Sequence, residues 1–328
     1  MPFEIKNPDD NSVLHSYPLS ISDFESEDLQ SDIIDVTLPF GDSRSYIWSF
    51  DGIRMSYSES AFNNEVTLDW KGDMRMVTMY FNIKGKFSVT DSSYHKQFEL
   101  GANQHNLFYG SEAEGKMKVE ELVMKSFMIQ FTEDAFLRIT KDGNETLKRF
   151  AENILAGRSS VLCQSNLNID LNIQSCINAV VNCKFSGQLK KMFLLSKAIE
   201  LLVLQAESYD QFLIPKRIHA KTDYDKERLV YARDYLIQHM EMPPNLSQLA
   251  RTTGINEYKL KRGFKELFGN TVFGYLSEIR LELAKSDLQE RKKSVTEIAF
   301  SLGYSSVPHF STAFKKKFGV SPTTLTGN

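Results

Sequence analysis

Two stretches of this chain, Leu246–Phe268 and Val295–Phe318, carry the same skeleton. Each reads as a short helix ending in Leu-Ala or Ile-Ala, a Gly turn, and a second helix built around a Phe-Lys pair. Each closes on Phe-Gly and a hydroxyl residue. The first copy has Leu249-Ala250, Gly254, Phe264-Lys265, Phe268-Gly269 and Thr271. The second has Ile298-Ala299, Gly303, Phe314-Lys315, Phe318-Gly319 and Ser321-Pro322. Apolar residues at helical steps on either side of a Gly turn predict a tandem helix-turn-helix, a geometry that lays helices in the DNA major groove.

Charge follows the same division. Net charge over the 328 residues is −3. From Asp225 to Asn328 there are 16 Lys+Arg against 11 Asp+Glu, a net +5, whereas the remainder, 23 against 31, is −8. A basic C-terminal part on an acidic front suits a protein that meets phosphates only at that end, although a solvated basic face gives the same count. Length allows two domains, each with its own core. No run approaches the roughly 18 uninterrupted apolar residues of a membrane span. The start, Met1-Pro2-Phe3-Glu4-Ile5, has no basic or apolar leader, so a cytoplasmic location is expected. Cys163, Cys176 and Cys183 have no CxxC spacing and read as free thiols, not as a disulfide frame or zinc site.

Organisation along the chain is expected as follows: a polar lead-in over 1–42, a cupin-like β domain over 43–132, and a helical segment over 133–214. A linker over 215–224 then leads to the tandem helix-turn-helix over 225–328. The fold class is thus α+β, a β-sandwich or barrel joined to an all-α domain. Strands are indicated from about Tyr46 to Phe131 by period-two alternation, as in Val77, Met79, Phe81 and Ile83. Many short strands imply a sandwich or small barrel able to hold a ligand. Glu133–Ala156 and Gln174–Tyr209 read as helices without interior proline. In the second, Leu189, Met192, Phe193, Ile199, Leu202, Val203 and Ala206 read as one apolar stripe, for packing on the β domain or for pairing with a second copy.

In the basic half, Asp225–Met240 supplies a leading helix, ended by Pro243-Pro244. Gly254 allows the tight turn and Asn256 caps the helix Glu257–Phe268. Leu260, Phe264 and Phe268 form its buried face. The opening turn of such a helix sits deepest in the groove, so Tyr258, Lys261 and Arg262 are the candidate base readers, Arg262 by a bidentate pair with guanine. Lys259 and Lys265 are assigned to phosphates; for any one of these cations, an ordinary solvated charge is the alternative. Val272–Gln289 follows as a connecting helix of 18 residues, about 27 Å long. In the second unit Ser306 caps a helix with Pro308 in its first turn and Phe310, Phe314 and Phe318 as its core stripe. Val307, Ser311 and Thr312 are its candidate base contacts, chiefly apolar ones to thymine methyls. Ser306, His309, Lys315 and Lys316 are its candidate phosphate contacts, and Lys317 adds charge.

The stretch Ile298-Ala299, Gly303-Tyr304, Ser306, His309-Phe310, Phe314-Lys315-Lys316, Phe318-Gly319, Ser321-Pro322 resembles the signature of the AraC/XylS family of bacterial transcription regulators. Leu260–Gly269 with Val272-Phe273 resembles the branch that regulates pyochelin uptake, and Arg280, Leu281 and Ala284 match the family's connecting helix. The resemblance spans Asp225 to Thr324, with Pro308 where a Ser is common and Thr323-Thr324-Leu325-Thr326 in place of an aromatic-Arg ending. It implies an N-terminal domain that binds a small-molecule effector and dimerises, controlling a C-terminal domain that binds promoter DNA and works with RNA polymerase, as an activator in the expected case. A ligand-independent dimeric regulator is the alternative. A cupin metalloenzyme is a more distant one, because cupin metal sites use His-x-His with Glu and a further His. Here His95 and Glu99 are four apart, His105 is isolated, and no P-loop, GxSxG or HExxH occurs. No cofactor or metal is expected, nor an enzymatic activity.

Overall fold

Alternating polarity between Gly41 and Phe131 has one structural outlet, pairing into sheets with one face buried. The computed structural model describes residues 3–6, 12–17, 24–72, 75–91, 96–110, 113–214, 223–290 and 293–326. They divide into two units, Met1–Ile169 with Cys176–Pro215, and Asp170–Ser175 with Lys216–Asn328. His95, the stretch 215–222 of the expected linker, and Arg291-Lys292 lie outside the described residues.

In the first unit the strands are β1 Phe3–Lys6, β2 Val13–Tyr17, β3 Gln30–Leu38, β4 Gly41–Phe50, β5 Ile53–Phe62, β6 Val66–Gly72 and β7 Met76–Lys84. They continue as β8 Phe87–Asp91, β9 Lys96–Leu100, β10 Gln104–Gly110, β11 Ala113–Val119 and β12 Val123–Phe131. One antiparallel sheet runs β2-β1-β6-β11-β8-β9. The other runs β10-β7-β12-β5-β4-β3, extended beyond β10 by the two-residue strands β13 Ser160–Val161 and β14 Leu167–Asn168.

Register separates the two faces of the larger sheet. Phe81 on β7 lies opposite His105 on β10 and Phe127 on β12, and Met79 lies opposite Leu107 and Ile129. All six are fully buried, and each large apolar side chain so buried contributes about 1.5–3 kcal/mol. Helices cover this face: Phe136 of α1 (Glu133–Thr140) meets Phe131 edge-on at 5.8 Å, and Gln205 of α4 (Gly187–Leu213) meets His105. The opposite face carries Tyr80, Phe108 and Met124, which cluster with Phe87, Val89, Leu100, Met117 and Val119 of the smaller sheet. That face is the interior of a β-sandwich. Its wall on the larger sheet turns polar toward β4 and β5, where Ser45 bonds Ser58 and Ser43 bonds Ser60, both at 2.8 Å. Asn82, level with Ser126 in register, is fully buried. Its amide donates to the carbonyls of Gly85 at 2.8 Å and Gly101 at 2.9 Å, while its Oδ1 has no partner among the described residues.

Several sequence expectations are corrected here. β1, β2 and β3 fall inside the expected lead-in. β3, QSDIIDVTL, is an edge strand with polar residues on both faces, which hides its period. The expected helix Glu133–Ala156 is two, α1 and α2 (Glu145–Leu155), because Gly143 turns the chain and Asn144 restarts it by accepting the Leu147 N–H. Gln174–Tyr209 is likewise α3 (Leu171–Val181) and α4, separated at 182–186. Strands are not confined to the expected stretch from Tyr46 to Phe131, since β13 and β14 also pair with β10. The apolar residues of α4 form two stripes instead of one. Leu202 and Ala206 are buried with Leu194, Ala198 and Leu201, whereas Leu189, Met192, Ile199 and Val203 are exposed.

Candidate nucleic-acid interface

The second unit is built around two Phe-anchored helices. Its elements are α5 Asp223–Gln238, α6 Leu246–Thr253, α7 Glu257–Phe268, α8 Val272–Glu290, α9 Val295–Ser301, α10 Val307–Phe318 and α11 Pro322–Thr326. α5 stops short of the prolines, and the guanidinium of Arg280 donates to the carbonyl of Met240 just beyond its end.

α6 begins with a capping box: Asn245 Oδ1 accepts the Gln248 N–H, and Gln248 Oε1 accepts the Asn245 N–H, both at 2.9 Å. Gly254 then adopts φ +72°, a left-handed conformation that costs glycine little and would strain any side chain. Asn256 restarts the chain as α7 by accepting the Lys259 N–H at 2.8 Å. Leu260, Phe264 and Phe268 are buried with Leu229, Ala232 and Leu236 of α5 and Val272, Tyr275 and Leu276 of α8. Gly263 makes this possible, because a Cβ there would sit 2.6 Å from Leu229 Cδ1. Arg233 of α5 is buried in the same core, bonded to Asp234 and stacked 5.5 Å over Phe268.

The second copy repeats the plan with different side chains. Ser294 caps α9, and Glu297 completes the box by accepting both the N–H and the hydroxyl of Ser294 at 2.7 Å. These bonds, the backbone N–H first, hold the Glu297 carboxyl below its ordinary value. Ser306 caps α10, whose Phe310 and Phe314 are buried with Leu281, Ala284, Leu288, Ile298, Ala299 and Leu302. Phe318, expected in the core stripe, is only half-buried and carries Lys285 at 5.0 Å over its ring.

On α7 the structure leaves Tyr258, Lys261, Arg262 and Lys265 exposed on one helix. Lys261 has a loose partner, Glu257 at 3.7 Å, in an exposed pair. Such pairs are worth about 0.3–0.5 kcal/mol and exchange readily for a stronger anion. Arg262 and Lys265 have no ionic partner among the described residues. Lys259 differs from the expectation: its Nζ lies 2.9 and 3.1 Å from the two carboxylate oxygens of Asp225 in α5. On α10, His309, Thr312, Lys315 and Lys316 are exposed, whereas Ser306 and Ser311 are half-buried. Val307 packs against the second core, so much of its surface is already spent. Lys317, expected to add charge toward DNA, is held between Glu278 at 2.5 Å and Glu282 at 2.8 Å of α8. Sequence reasoning missed Asp225, Glu278 and Glu282 as partners, since nothing local marks a carboxylate that answers a lysine on another helix.

The metal reading fares differently. His105 is buried between Phe81, stacked at 5.5 Å, and Gln205, whose Nε2 lies 3.0 Å from its Nδ1. Burial pushes its pKa down to about 3, which favours the neutral ring. Glu99 is exposed and faces Lys86 at 3.7 Å. Among the described residues no three His, Cys, Asp or Glu side chains could hold a metal ion, and no helix is long and apolar enough to cross a membrane.

Comparison with known proteins identifies the same kind of C-terminal domain. A family model described as a helix-turn-helix domain matches residues 249–327, and one described as the regulatory protein PchR N-terminal domain matches residues 41–215. The chain is similar to the regulatory protein PchR of Pseudomonas aeruginosa, 36% identical over 123 residues that make up 38% of this chain and 42% of PchR. It is also similar to a probable thc operon regulatory protein of Rhodococcus erythropolis, 37% identical over 28% of this chain and 29% of that protein. These matches thus span less than half the length of either relative. Among solved structures, an AraC-type regulator from Chromobacterium violaceum aligns with 28% identity over 32% of this chain and 94% of its own, with a TM-score of 0.30. ToxT of Vibrio cholerae aligns with 14% identity over 82% of this chain and 96% of its own, with a TM-score of 0.34. Scores this low support no residue-by-residue correspondence. The PchR-type match alone covers more than half of the chain, and a helix-turn-helix match follows it: this protein belongs to the AraC family of regulators, in the group with a PchR-type N-terminal domain.

Proposed function

We propose that this chain is a cytoplasmic, sequence-specific transcription regulator, an activator that acts with RNA polymerase, and that a small-molecule effector bound by its N-terminal unit controls it. One observation carries the reading: two capped, Phe-anchored helices, α7 and α10, each keep an exposed face of cations and hydrogen-bonding groups after their inner faces are spent on a core. The base-reading set is Tyr258, Lys261 and Arg262 with Thr312 and Ser311, and Val307 adds a partial apolar contact. Lys265, His309, Lys315 and Lys316, with Ser306, meet phosphates. The effector site is the sandwich interior, whose larger-sheet wall carries paired serines and the Asn82 Oδ1, without a partner among the described residues, on the same face as the apolar cluster shared with the smaller sheet. Polar groups on an apolar floor fix the orientation of a small ligand. The exposed stripe of α4, Leu189, Met192, Ile199 and Val203, has heptad spacing with Ser196 at the intervening position, which suits pairing with the same helix of a second copy. Sedimentation of a Val203→Asp variant as a monomer beside a wild-type dimer is the expected check.

The full chain, incubated with fragmented genomic DNA and recovered, should enrich one motif with half-sites about one helical turn apart. Recovery of no fragment above random duplex at moderate salt would sink the proposal.

A further inference from the structure

We infer that Asp225 is a positioning residue for base readout, and that Lys259 serves this carboxylate instead of a DNA phosphate. The inference deepens the DNA-binding reading and rests on it. The side chain of Asp225 is only 6% exposed, while that of Lys259 is 47% exposed. A carboxylate removed from water requires its counter-ion far more than a solvated lysine requires any particular anion. Both oxygens of Asp225 lie within 3.1 Å of Nζ, so the ammonium is centred on the carboxylate.

The position of the pair gives it a consequence for recognition. α7 packs on α5 through the shared apolar core, with Arg233 over Phe268 at its far end. Near its middle, Gly263 lets Leu229 approach so closely that a Cβ would collide. At its opening turn, Lys259 crosses to the first turn of α5, where an acidic side chain also suits the helix N-terminus. The apolar core carries most of the contact, and the ion pair one turn before Gly263 adds a directional tie at the opening turn. Tyr258 and Arg262 sit one residue before and three residues after Lys259. Any tilt of the opening turn therefore moves Tyr258, Lys261 and Arg262, the α7 side chains assigned to base edges, and a bidentate pair tolerates little displacement.

The test compares equilibrium binding of the full chain to a promoter duplex recovered by the wild type and to a random duplex of equal length, each over a salt series. Lys259→Gln and Asp225→Asn should each weaken the promoter complex about tenfold, leave the random duplex nearly unaffected, and keep the slope of log affinity against log salt. A phosphate contact behaves otherwise: Lys259→Gln would weaken both duplexes alike and lower the slope by about 0.9. The exchange Asp225→Lys with Lys259→Asp should recover promoter preference. Equal weakening with the lower slope overturns the inference, as does no loss on either duplex, or a folded exchange variant that stays as weak as the single ones. Should the exchange variant not fold, the Lys259→Gln slope decides alone. A wild-type chain with no preference for the promoter duplex would defeat the DNA-binding reading itself, before any variant is compared.

Discussion

The two helix-turn-helix units share a skeleton and differ in what that skeleton leaves free. In the first, α5 lies against α7, Gly263 admits Leu229, and the exposed face keeps Arg262 and Lys265 without ionic partners among the described residues. In the second, Val307 packs into the core and Lys317 is neutralised by Glu278 and Glu282, so polar reach is left mainly to Thr312, His309, Lys315 and Lys316. The repeated Phe stripe fixes where a helix can stand. The residues between the Phe positions set which polar groups it presents to solvent. On the proposed reading, one fold supports an unequal division of labour, with specificity concentrated on α7.

The largest effect should come from the shared part. Phe264→Ala and Phe314→Ala each empty a fully buried position and should cost about 3–5 kcal/mol in denaturant unfolding. If one were nearly neutral, the two cores would not be equivalent and the comparison would fail at its base. Next comes the division of labour. Arg262→Ala should weaken specific binding by about 1–3 kcal/mol and blur preference at one base pair, whereas Thr312→Ala should cost less and blur little. Competition binding against single-base operator variants measures both, and a larger loss at Thr312 would reverse the assignment. A smaller, uniform effect is expected for Lys316→Ala: affinity for promoter and random duplexes falls alike, with a salt slope reduced by about 0.9. A sequence-dependent loss there would mean that α10 reads bases after all.

What the sequence made visible was local. Gly254, Asn256, Ser306 and the Phe positions act within one or two turns of themselves, so their spacing alone announces turn, cap and core. The Asp225–Lys259 pair joins residues 34 positions apart and leaves no mark on either segment. The same limit explains β3, whose hydrogen bonds to β4 offset a pattern with no clean alternation, and α4, whose buried and exposed apolar residues merge into one stripe until a neighbour separates them. The break at Gly143-Asn144 was written in the chain, but without a proline the helical pattern on either side outweighed it.

The subtlest difference between the units lies in their capping boxes, and it can be read with acid. The box of α6 is closed by Gln248, an amide that does not titrate. That of α9 is closed by Glu297, whose carboxylate accepts two hydrogen bonds from Ser294 and is held below its ordinary 4.5. A group whose folded pKa is depressed stabilises the fold fully above its unfolded value and loses that contribution as pH falls through the folded value. Protection of the first-turn amides of α9 should therefore decline once pH drops below about 4.5, while that of α6 should hold, after correction for intrinsic exchange. Glu297→Gln should make the two helices respond alike. Equal loss of protection in α6 and α9 in the wild-type chain would show that the difference in their closing residues has no thermodynamic weight. The asymmetry would then be confined to the exposed faces of α7 and α10.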